Sequence, residues 1–90
     1  MTETIHVTAQ DIVGGVPRSC EMCPVALAAR RLWPGATVGV DGDRIYRRSY
    51  SYGNASVRLP STVRRWVREY DHGFPVAPFE FAIATPDILR

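Results

Sequence analysis

Between Thr4 and Thr8 the chain alternates Ile5 and Val7 with His6, the two-residue period of a strand that buries one face. Thr8-Ala9-Gln10-Asp11 follows with the spacing of a helix N-cap, an acid standing at the third helical position. Gly14-Gly15 predicts that this helix stops after one or two turns. From Cys23 to Trp33 the period becomes helical: Pro24 takes the first helical position, and Val25, Ala28, Ala29 and Leu32 share one face. The alanines allow close approach to a sheet, Arg30 and Arg31 suit the negative C-terminal dipole, and Pro34-Gly35 ends the segment.

Thr37 to Val40 reads as a strand, Asp41-Gly42-Asp43 as a hairpin turn, and Arg44 to Tyr50 as the returning strand. After the turn signal Tyr52-Gly53-Asn54, Ala55, Val57 and Leu59 alternate with Ser56 and Arg58, which predicts a three-stranded antiparallel meander. Pro60-Ser61 opens a further helix with Val63, Trp66, Val67 and Tyr70 at helical spacing. Arg64, Arg65 and Arg68 are left toward the outside, and Gly73 is the stop. Residues 74 to 78 form an extended connector, Phe79, Phe81 and Ile83 alternate as a last strand, and Thr85-Pro86 begins a tail. The sum is one α+β domain over residues 1 to 90. It has about five short strands in a small antiparallel or mixed sheet and two main helices on one face.

A chain of 90 residues has room for one modest core, so any site is shallow or shared with a second copy. A hydrophobic fraction of 46% and a charged fraction of 22% are those of a folded globular domain. The net charge of +2 conceals an uneven distribution: residues 44 to 68 carry seven Arg and no acid, while the acids lie on either side. That segment is a candidate anion-attracting surface, unless the flanking acids fold back on it. Every basic side chain is Arg and none is Lys, a bias that a GC-rich coding genome also produces. Its physical consequence is a set of planar forks that grip phosphate or carboxylate and stack on aromatic rings. No apolar run approaches the roughly 18 residues that span a bilayer, and the N-terminus lacks the layout of a secretory signal. The expectation is a cytoplasmic protein without a membrane partner, in which the sequon Asn54-Ala55-Ser56 has no glycosylation role.

Cys20-Glu21-Met22-Cys23 supplies half of a four-ligand zinc site, and His6 and His72 are the only histidines that could complete it. Neither has paired-His spacing, although a homodimer could assemble four thiolates, two from each chain. The same pair could be redox-active, but Pro24 puts Cys23 at the cap and Cys20 outside the helix, unlike the thioredoxin arrangement. Two thiols packing the start of the core helix is the favoured reading, and no cofactor is expected. Asp71-His72 falls at a helix end, where His complements the dipole. Ser49, Ser51, Ser56 and Ser61 have no nucleophile-elbow context, and there is no phosphate loop or dinucleotide glycine motif. The expectation is that the protein is not an enzyme.

In a strand, Arg44, Tyr46, Arg48, Tyr50 and Tyr52 would line one side and Ile45, Arg47, Ser49 and Ser51 the other. If the Tyr side packs inward, Arg48 is buried and needs a partner; if it faces outward, it forms an Arg/Tyr comb beside Arg58. An outward comb suits an acidic protein surface, because Arg and Tyr are over-represented at binding hot spots. It also suits phosphate contact with base stacking, so a nucleotide or a nucleic acid is the alternative partner, with zinc at Cys20 and Cys23 as an accompanying staple.

Two segments, "CEMCPVALAARR" and "VREYDHGFPVAPFEF", together with the opening "IHVTAQDIVGGVPRSC", resemble small proteins encoded by bacteriophages and prophages, particularly those of actinobacteria. The resemblance covers most of the chain outside the middle. It implies a phage setting and carries no catalytic residue with it. The resulting expectation is a non-catalytic protein that binds a host protein, in host takeover or anti-defence, through Arg44, Tyr46, Arg48, Tyr50, Tyr52, Arg58, Arg64, Arg65 and Arg68.

Overall fold

The computed structural model describes residues 2 to 41 and 43 to 84. The order along the chain is β1 (Thr2–Val7), α1 (Ala9–Gly14), α2 (Pro24–Arg30), β2 (Thr37–Asp41), β3 (Arg44–Arg48), β4 (Ala55–Arg58), α3 (Ser61–Asp71) and β5 (Phe79–Ala84). This is a small α+β fold. Its strands fall into two antiparallel sheets: β1 pairs with β5, and β2, β3 and β4 form the meander. The expected tail from Thr85 and the Gly42 position of the hairpin turn lie outside the described residues.

The apolar positions act as their periods require. Ile5 and Val7 of β1, Val38 and Val40 of β2, Ile45 of β3 and Ile83 of β5 turn inward. They meet Val25, Ala26, Ala28 and Ala29 of α2, which touches both β1 and β2 and so joins the two sheets. α2 is shorter than the predicted segment. Beyond Arg30 the amides of Arg31, Leu32 and Trp33 bond three residues back, tightening the end of the helix before Pro34. α3 buries Val63, Val67 and Tyr70, packs Trp66 against the tilted ring of Phe79, and is stopped by Gly73 just beyond its end, whose φ of 80° is the left-handed conformation a helix stop uses. The Trp66 indole donates to the Ala77 carbonyl at 3.0 Å, which pins the connector to β5.

The first cap forms as the sequence predicts. Thr8 Oγ1 accepts from the Asp11 amide at 3.2 Å, and Asp11 Oδ2 accepts from the Thr8 amide at 2.9 Å. Asp11 has a second role that its position did not announce. Its buried carboxylate receives both Nη groups of Arg31, at 2.7 and 2.8 Å, and Arg31 also donates to the His6 carbonyl. Arg31 therefore works as a clamp joining β1, α1 and α2, beyond its placement at a helix end.

No helix among the described residues is long and apolar enough to cross a membrane.

Candidate functional site

β3 decides the face. Ile45 and Arg47 point into the core and Arg44, Tyr46 and Arg48 point out, so the arginine that is buried is Arg47 and not Arg48. Arg47 escapes the cost of an unpaired buried charge by lying over the Trp33 ring at 4.7 Å and donating to the Gly53 and Tyr52 carbonyls at 2.9 and 2.7 Å. The predicted comb is also shorter than the sequence implies. β3 ends at Arg48, because Ser49 Oγ accepts the amides of Ser51 and Tyr52 and the Gly53 amide returns to the Ser49 carbonyl, closing a loop. Tyr50 and Tyr52 are therefore exposed on that loop, Tyr50 completely, and are not in line with Tyr46.

Register builds the outward face of the meander. Tyr46 lies directly opposite Gly39 on one side and Ser56 on the other. Its ring occupies the space a side chain at position 39 would take, so the glycine is what lets the tyrosine lie flat across the sheet. Arg48 sits beside that ring, 6.0 Å from its centre. Arg44 faces Arg58 across the strands, an arrangement of like charges that is unfavourable by itself. Arg44 is steadied by Ser56 Oγ at 2.9 Å, and Arg58 by Asp43 at 3.2 Å. Among the described residues Arg48 has no carboxylate partner, so its charge is available.

α3 does not present its three arginines together. Arg65 points outward and pairs with Glu69 one turn later at 3.5 Å. Arg64 and Arg68 line a cleft of about 1090 Å³ between α3 and the loop from Pro17 to Cys23, with Val40 and Asp43 of the meander at its margin. The nine predicted binding residues are thus dispersed: Arg44, Tyr46, Arg48 and Arg58 on the sheet face, Tyr50 and Tyr52 on the loop beyond β3, Arg65 on the outside of α3, and Arg64 and Arg68 in the cleft. Asp43 belongs to both the sheet face and the cleft, lining the cleft while its carboxylate holds Arg58. The contribution of Arg18, Asp43 and Asp71 to the cleft has no sequence signal, because they come together only when the loop folds onto α3.

The two cysteines also line this cleft and differ sharply. Cys20 is exposed, whereas Cys23 caps α2 with 2% of its surface accessible. Burial pushes the Cys23 thiol up, with the nearby Asp71 charge adding to the effect. This is opposite in sense to the shift that activates a thiol nucleophile. With iodoacetamide at neutral pH the native protein is expected to gain one adduct, on Cys20, and a second only on unfolding; intact-mass spectra over time distinguish this from simultaneous labelling of both. His72 lines the cleft as well, with Nδ1 donating to the Arg68 carbonyl at 3.3 Å, while His6 is engaged with Glu80 across β1 and β5 at 3.1 Å. The four candidate zinc ligands are therefore not gathered at one place, and among the described residues no three His, Cys, Asp or Glu form a metal-binding group.

No known protein family, curated protein or solved structure matches this chain.

Proposed function

We propose that the protein works by non-catalytic binding, docking the outward face of its meander on an acidic surface of another protein. The observation that carries this reading is the exposed set of Arg44, Arg48 and Arg58 around a tyrosine laid flat over Gly39. The face has the residue types that dominate interface energetics, with the aromatic ring held in place before binding. The exposed Tyr50 and Tyr52 extend it at the loop. Arg48 and Arg58 are exposed and weakly tied, so their charges steer and anchor a partner while contributing little to the fold. The resemblance to phage proteins gives the partner a setting: a protein of a bacterial host, whose activity is altered because its acidic surface is covered.

Capture of partners from an actinobacterial lysate on the intact protein tests the reading, using wild type beside the Arg48→Ala/Arg58→Ala double variant. The expected result is a specific host protein retained at low salt, released as salt is raised, and absent from the double variant. Native mass spectrometry of the same preparation checks the alternative. A retained mass of nucleotide size that the double variant loses, with no protein differing between wild type and variant, would overturn the protein-partner reading.

A further inference from the structure

We infer that the cleft between the Pro17 to Cys23 loop and α3 is a second binding site, for a small phosphate ester of nucleotide size gripped by Arg64 and Arg68. The inference is independent of the sheet-face reading, since it concerns different arginines and a different class of ligand.

Arg64 and Arg68 stand one turn apart on the same face of α3, where like charges weaken a helix. Arg65 has Glu69 at the same spacing; Arg64 and Arg68 have no ion-paired carboxylate among the described residues. Arg64 goes further, because its Nε is buried without a hydrogen-bond partner. A buried donor on a charged group is seldom left unsatisfied, and here it belongs to a side chain lining an open cleft.

The rest of the cleft is built around these donors. Neither carboxylate of the cleft is ion-paired with Arg64 or Arg68: Asp43 holds Arg58, and Asp71 Oδ1 accepts the Arg18 amide at 2.8 Å. That second bond ties the loop to the end of α3 and supports Arg18 in a left-handed conformation, φ 62°, which is strained for a residue with a side chain. The loop is fixed again by the Val40 amide donating to the Cys20 carbonyl at 2.7 Å and by Arg30 donating to the Glu21 carbonyl. The opposing wall is therefore preorganised and brings a third arginine, Arg18, to the lining of the same space.

Guanidinium forks match the oxygens of a phosphate, and Val40, Val67 and the buried Cys23 give the organic part of the ligand an apolar surface. A volume of about 1090 Å³ accommodates a nucleotide and far exceeds what an inorganic ion needs.

Titration calorimetry of the full chain with ADP, inorganic phosphate and adenosine tests the inference. Saturable binding of ADP, tighter than inorganic phosphate and absent for adenosine, is expected to weaken about tenfold or more in Arg64→Gln and in Arg68→Gln, with Arg65→Gln unchanged. If Arg64→Gln fails to fold, the wild-type Arg64 Nε–H resonance supplies the readout by shifting as ADP saturates. No saturable ADP binding up to about 5 mM, equal weakening in Arg65→Gln, or phosphate binding as tightly as ADP would overturn it, the last as an adventitious anion.

Discussion

Asp11→Asn is expected to lower the unfolding free energy by about 2 to 3 kcal/mol, a large fraction of the stability of a domain this size. Asp11 is 5% exposed, and its carboxylate completes the N-cap of α1 and takes both Nη groups of Arg31. An amide in its place keeps one acceptor and turns an NH₂ toward the guanidinium. Arg31 is half-exposed and regains water, so the loss falls below that for a fully buried pair. The same clamp sets a pH dependence. The Arg31 guanidinium, more than the cap bonds, holds the Asp11 carboxyl below the ordinary carboxylate range despite the opposing effect of burial. The folded state therefore binds this proton less readily than the unfolded chain. The stabilisation is complete above about pH 5 and is lost as pH falls through the unfolded value and then the lower folded one. Urea denaturation between pH 7 and pH 2 is expected to show a falling acid limb in wild type that is flatter in Asp11→Asn. Parallel acid limbs for the two proteins would place the clamp's contribution elsewhere.

Arg47→Ala is expected to cost about 2 to 4 kcal/mol, because it removes a buried stem, a ring-stacked charge and two hydrogen bonds at once. For a domain of this length that corresponds to a fall in Tm of about 10 °C or more. The released groups are the Tyr52 and Gly53 carbonyls, so the loop carrying Tyr50 and Tyr52 loosens with the core. Hydrogen exchange locates the effect: the Gly53 amide, bonded to the Ser49 carbonyl, is expected to lose protection well before the amides of β1. Arg47→Met keeps the apolar stem against Trp33 and is expected to recover part of the loss. A melting temperature within a few degrees of wild type for Arg47→Ala would show that the loop carbonyls are satisfied by water instead.

Much of the architecture is legible from period alone. The alternation of Ile5 and Val7, the Pro24 start, the Thr8 cap with Asp11, and the spacing of Val63, Trp66, Val67 and Tyr70 are local signals that the packed structure obeys. The division of the strands between two sheets is not local, since it depends on β5 crossing back to pair with β1. The face of β3 is undecided by sequence because both sides carry arginine. Ile45 on the Arg47 side is the one residue that favours the observed answer, and Trp33, which makes it affordable, is far away in the chain. The expected comb through Tyr52 fails for a local chemical reason: Ser49 bonds its own downstream amides and breaks the ladder. The separation of Arg64 and Arg68 from Arg65 depends on where Glu69 and the Pro17 to Cys23 loop lie in space, which helical periodicity cannot supply.

As a proposed binding surface, the outward face of the meander requires arginines that are dispensable for folding and needed for docking. Paired measurement of Tm and of affinity for the captured host protein, in wild type and in Arg48→Ala/Arg58→Ala, tests it most directly. Melting temperatures within about 4 °C are expected, as for the loss of an exposed ion pair, with binding weakened about a hundredfold or more. Unchanged binding would contradict the proposed surface, and a collapse in Tm would make these arginines part of the fold.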